Sequence, residues 1–132
     1  IKDQIGTLTS LMKESGFKND RVTKAGKELV KSLSTIEEEL IQVKSESRQD
    51  PLNYPIKLDN KIAALVGVVS SIDARPTAQS YDVLEDLVSQ AQVHYKKLNK
   101  VLTDDLYRFN NMVSEAAVPA VMIIPSELNV EK

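Results

Sequence analysis

The stretch DRVTKAGKELVKSLSTIEEELIQV, residues 20–43, decides how this chain folds. Its apolar side chains fall at Val22, Leu29, Leu33, Ile36, Leu40 and Val43, with Gly26 in the remaining slot. The steps alternate four and three, the heptad spacing that lays one apolar seam along a helix. That spacing predicts a helix over 20–46, about 40 Å long at the usual rise. Asn19 or Asp20 supplies its N-cap. Gly26 weakens the helix but lets a neighbouring backbone come close.

Working outward from this seam, the same arithmetic covers most of the chain. Ile1, Ile5, Leu8 and Met12 predict a helix over about 1–15, with Gly16 as its stop. Because Ile1 falls directly into that pattern, the chain reads as starting inside a helix of a longer protein. On the other side lies DPLNYPIKLDNK, residues 50–61, where Pro51 and Pro55 cannot sit inside a continuous helix. This reads as a structured inter-helix turn, with a loop that also docks onto another domain as the alternative. Pro55 suits the first turn of the following helix, with Asn53 or Tyr54 near its N-cap, and Leu52 and Tyr54 pack down on the bundle end. Leu58, Ile62, Leu65, Val69 and Ile72 then resume the seam. Asp73 to Pro76 end it, and Thr77 caps the next helix. Tyr81, Leu84, Val88, Ala91, Tyr95, Leu98 and Leu102 continue the pattern.

At Thr103-Asp104-Asp105 the pattern slips, because the step from Leu102 to Leu106 is four where three is due. Either one long helix carries a stutter, or Asp105 caps a new short helix through Phe109, Val113 and Ala116. Pro119 closes the helical region. Only Val121 to Ile124 offers a short strand-like run. The expected fold is all-α: an antiparallel bundle of three to four helices over 1–118 with an extended C-terminal tail over 119–132. The expected core contains Leu29, Leu33, Ile36, Leu40, Leu58, Ile62, Leu65, Val69, Leu84, Val88, Leu98 and Leu102. Leu65→Ala, as a core truncation, then costs about 2–5 kcal/mol. If the helices at 20–46 and 77–103 are antiparallel partners, the 50–57 turn and the 103–109 slip share one bundle end.

Composition removes several function classes. The chain has 132 residues, enough for one core, with 17 basic and 19 acidic residues and a net charge of −2. Nucleic-acid binding needs a concentrated positive field, which this balance does not supply. Cysteine and tryptophan are absent, which excludes disulfides, thiolate catalysis and the common structural zinc sites. No apolar run approaches the ~20 residues of a membrane span. His94 is the single histidine and has no sequence partner for a triad or a metal site, so it reads as a surface or boundary residue. Glu37, Glu38, Glu39, Glu85, Asp86, Asp104 and Asp105 mostly occupy off-seam positions, where a solvated face is the default. No catalytic, cofactor-binding or metal residues are therefore expected, and no cofactor.

QDPLNYPIKLDNKIAALVGVVSSIDARPTAQSYDVLEDL, residues 49–87, followed by DDLYRFNNMV, residues 104–113, resembles a known family, and the preceding residues 1–51 look like the same region, so the resemblance covers most of the chain. It is similar to the C-terminal helical region of large bacterial proteins with a sortilin-like or BNR-repeat β-propeller, often labelled glycosyl hydrolase or sialidase-like. The proline turn with Asn53, Tyr54 and Pro55, then Asn60-Lys61, Arg75 in its RPT triplet, and Phe109-Asn110 carry the resemblance. Tyr107 departs from it, since relatives tend to place proline there. The resemblance implies a non-catalytic accessory domain that packs on the propeller of its parent protein, and an exported parent. It implies no sialidase chemistry here, because Arg75 and Arg108 do not make an arginine cluster. The rival class is an independent helical interaction module. The tail residues Val121, Met122, Ile123 and Ile124 are expected to be extended and to pack on the bundle or on another chain, as a propeller contact or a homo-oligomer surface.

Overall fold

The computed structural model describes residues 1–44, 54–71, 73–120 and 122, and these residues form helices and connections with no strand. The helices are α1 Lys2–Glu14, α2 Asp20–Leu40, α3 Leu58–Ser70, α4 Ala78–Lys100 and α5 Leu106–Glu115, with a π-helical turn at Val101–Asp105 joining the last two. The all-α bundle expected from the heptads is the observed fold. Of the Val121–Ile124 run, only Met122 falls among the described residues.

Local chemistry sets the helix ends. Gly16 stops α1 in a left-handed conformation at φ +78. Asn19 caps α2 by accepting the Val22 N–H at 3.1 Å. Thr77 caps α4 by accepting the Ser80 N–H at 3.3 Å. Two expected boundaries move. α2 stops at Leu40 rather than at 46. Ile41 and Val43 are exposed, so no burial holds a further turn, and the Gln42 amide instead donates to the Pro55 carbonyl at 2.8 Å. α3 starts at Leu58, and Pro55 lies ahead of it rather than in its first turn. Extended Lys57 is the N-cap, fixed by the Asn60 Oδ1 that accepts its N–H at 3.4 Å.

The C-terminus of α5 has a specific consequence. Ala117 donates to the Ser114 carbonyl and Val118 to the Val113 carbonyl, the paired bonds of a Schellman motif. Ala117 therefore holds φ 50, a left-handed conformation that favours glycine. Ala117→Gly removes the Cβ penalty, ~1 kcal/mol, against a smaller loss through the more flexible unfolded chain. A gain of a few tenths of a kcal/mol or more is expected by urea denaturation, and a loss would refute the strain at Ala117.

The chain forms two compact units. The first combines Ile1–Leu33 with the chain from Lys100 onward. Its core is built on the α2 seam: Val22, Gly26, Leu29 and Leu33 are all buried, as the 20–43 stretch predicts. α1 contributes Ile5 and Met12, the π turn Val101, and α5 Phe109. α2 and α5 run antiparallel, since Arg21 meets Glu115 at 3.8 Å while Ser32, further along α2, lines a groove with Asp105. Gly26 is the point of closest approach, with Ile5, Thr9 and Phe109 converging on it. What the missing side chain admits is two methyl groups and a ring edge, rather than the neighbouring backbone that was expected.

The second unit spans Ser34–Asn99. Ile36, Leu58 and Leu87 are buried there. The end of α2 meets the entry to α3 through the Gln42 bond and a Glu39–Lys57 ion pair at 3.8 Å. The predicted core holds at Ile36 and Leu58 and fails elsewhere in this unit. Ile62, Val69, Leu84 and Val88 are exposed, and Leu40, Leu65 and Leu98 are only partly buried. In α4 the inward side is that of Leu87 and His94, about a quarter turn from the Tyr81–Leu84–Val88 seam. In the first unit likewise Val101 is buried and Leu102 half-buried. Leu65→Ala therefore removes a side chain that is only partly covered, and its cost falls toward or below the low end of the range for a buried leucine.

The slip at 103–105 is a stutter within one helix. The Leu106 N–H bonds the Val101 carbonyl, five residues back, and Lys100, Asp105 and Leu106 all keep right-handed helical angles. Asp105 makes no side-chain capping bond. The extra residue is absorbed in the wide turn, which is how a π-bulge accommodates an insertion into a helical repeat. The result places Val101 and Phe109 in the same core.

Candidate functional site

The largest departure from a self-contained bundle is α3. From Asp59 to Ser71 every residue except Leu65 is exposed. Yet the ten residues Ile62–Ser71 carry no charge. Val66 and Val68 are 60% and 57% exposed, and they lie on different sides of the helix. A helix apolar on all sides is ordinarily a covered helix, and a contiguous exposed apolar surface marks a contact site. Sequence reasoning took Ile62, Leu65 and Val69 for an inward seam and missed this. The signal was present: a surface helix needs a solvated face, and 62–71 offers no charged residue to make one.

α4 adds a second uncovered face. Tyr81, Leu84, Val88 and Tyr95 keep the four–three spacing of the predicted seam, and all are exposed. Charges are segregated along the same helix. Asp82, Glu85 and Asp86 fall in its first half, Lys96 and Lys97 in its second, and all are exposed.

The residues singled out around the proline turn are partly gathered. Tyr54, Pro55 and Lys57 line a shallow depression of about 210 Å³ with Glu38 and Gln42. Asn60 is spent on the α3 cap, and Lys61 and Arg75 are exposed. Asn53 lies outside the described residues. Phe109 is not a surface group at all: it is 4% exposed in the core of the first unit, with its neighbour Asn110 exposed. In the tail, Met122 is half-buried and its Sδ accepts the Ser15 hydroxyl at 3.3 Å. Val121, Ile123 and Ile124 lie outside the described residues.

Beside the π turn is a groove of about 260 Å³, floored by Leu29, Phe109 and Met112 and rimmed by Glu28, Asp105 and Arg108. Arg108 pairs with Asp105 at 3.8 Å. Ser32 also lines the groove. His94 belongs to the second unit and is half-buried, with Nδ1 buried and unbonded among the described residues. No cluster of three metal-ligating side chains occurs among the described residues, and no described helix is long and apolar enough to cross a membrane. The features that stand out among the described residues are the exposed apolar faces of α3 and α4. Compared with known proteins, the chain matches no family model, no curated protein and no solved structure.

Proposed function

We propose that this chain is a non-catalytic helical accessory domain that docks onto another folded domain through α3. The observation that carries this reading is the exposure of the uncharged stretch 62–71, in which only Leu65 is partly covered. Such a surface resembles the apolar interior of a permanent interface more than the polar rim of a transient one. The resemblance of residues 49–87 and 104–113 to the region that follows a sortilin-like or BNR-repeat β-propeller supplies the partner: a propeller of the same parent protein. The proline turn beside the α3 entry then positions the helix rather than performing chemistry.

The test is binding of this chain to the separately produced propeller of its parent, measured by calorimetry. Val66→Asp places a charge at a site that is uncovered in the free chain, so folding is kept while docking weakens at least tenfold. Equal affinity of the variant would remove α3 from the interface. Indifference of the wild-type chain to the propeller would favour the independent interaction module instead. In parallel, the chain alone should turn over no chromogenic glycoside, a sialoside included. Activity abolished by mutating one of its own carboxylates would overturn the non-catalytic reading.

A further inference from the structure

We propose that α4 pairs antiparallel with α4 of a second copy of this chain. The inference concerns a different helix from the α3 docking face and does not rest on that reading.

The first support is the seam. Tyr81, Leu84, Val88, Ala91, Tyr95 and Leu98 repeat at four–three spacing over about 25 Å of helix. The large members Tyr81, Leu84, Val88 and Tyr95 are uncovered. α4 already buries a separate side through Leu87. Of the second stripe, Ala91 and Leu98 are half-buried within the chain, while Tyr81, Leu84, Val88 and Tyr95 are left uncovered among the described residues. The stripe is also matched to itself. When two copies run antiparallel about the point between Val88 and Ala91, Val88 faces Ala91 of the second copy, Leu84 faces Tyr95, and Tyr81 faces Leu98. Each layer sets a larger side chain against a complementary one. The pairing is isologous, so one two-fold axis closes it and no filament follows.

The second support is charge, and it chooses both the occupant and the direction. In the same register Glu85 lies about 3 Å along the axis from the level of Lys96 of the second copy, while Asp82 and Lys97 lie level on the outer sides of the two helices and act only through the longer-range field. Glu85 and Lys96 flank the seam on the same side of the helix, so antiparallel copies bring them together. A parallel pair would stack the acidic halves on each other and the basic halves likewise, which costs affinity. Asp82, Glu85, Lys96 and Lys97 are all exposed. One helix pair covers less than the roughly 800 Å² that each partner gives to a standard interface. The dimer is accordingly weak and concentration-dependent.

Sedimentation equilibrium of the full chain over a micromolar concentration series tests this, with helix content checked by circular dichroism. The wild type should show a monomer–dimer equilibrium. Asp82→Lys with Glu85→Lys makes α4 largely basic, and Lys96→Glu with Lys97→Glu makes it acidic in both halves. Each pair alone should weaken self-association about tenfold or more. An equimolar mixture of the two variants should recover it as a heterodimer, and so should a chain carrying all four changes. Val88→Glu should abolish it in every background. A wild type that stays monomeric throughout overturns the proposal. So does association that both charge variants retain, or a mixture that fails to recover what each variant lost.

Discussion

Phe109→Ala is expected to cost about 3–5 kcal/mol of folding stability. The ring is 4% exposed, on a helix that packs against α2, and its edge lies over Gly26. Deleting it loses the transfer free energy of a full aromatic side chain and leaves a hole that three helices would have to collapse to fill. A domain of this size holds about 5–15 kcal/mol in total, so the variant stands close to its unfolding threshold. Urea denaturation followed at the helical band measures it. Tyr107→Ala, two residues earlier on the same helix, is the control. Its ring is 65% exposed, so its cost should stay within about 0.5 kcal/mol, the usual range for surface changes. The two aromatics share a helix and differ in burial, so equal losses would refute the core assignment.

That contrast shows what the sequence could and could not disclose. The α2 seam was legible because both halves of the evidence were local: apolar spacing, and a glycine where three helices meet. The caps at Asn19 and Thr77 were legible for the same reason, since a side chain that accepts a bond three residues on is a local event. The slip at 103–105 was visible as an extra residue, but its form was not. A π turn and a broken helix have the same spacing, and only the Leu106 bond to Val101 separates them. The α4 error has a different cause. Heptads report which residues share a face, and they are silent on whether anything lies over that face. Leu84 and Val88 form as good a seam as Leu29 and Leu33, yet one pair is exposed and the other buried. The exposed α3 and α4 faces are thus where local pattern and intramolecular packing disagree, and such disagreements tend to mark contact sites. Phe109 is the converse case, a residue noted for its place in a motif whose part in the structure is to fill the core.

Gly26→Leu should be clearly destabilising, by about 1–3 kcal/mol, although leucine is the better helix former. The intrinsic gain in an exposed helix is somewhat under 1 kcal/mol. Against it stands the geometry. A Cβ alone at position 26 would lie 3.0 Å from Ile5 Cγ2, 3.3 Å from Phe109 Cε2 and 3.4 Å from Thr9 Cγ2. Ile5 and Phe109 are each buried, and Thr9 Oγ1 is bonded to the Ile5 carbonyl at 2.9 Å, so none of the three yields freely. Alanine asks for shifts of tenths of an ångström and should come out near neutral, strain offsetting propensity. Leucine brings three further carbons into the same space, and overpacking of that kind costs about 1–3 kcal/mol or more. The decisive measurement is a double-mutant cycle with Phe109→Ala. The hole left by the phenyl ring adjoins the space that the introduced leucine would need, so the double variant should be more stable than the sum of the single losses by about 1–3 kcal/mol. Additive losses would mean that Gly26 and Phe109 do not share a contact, and the convergence of α1, α2 and α5 at this glycine would be refuted with it.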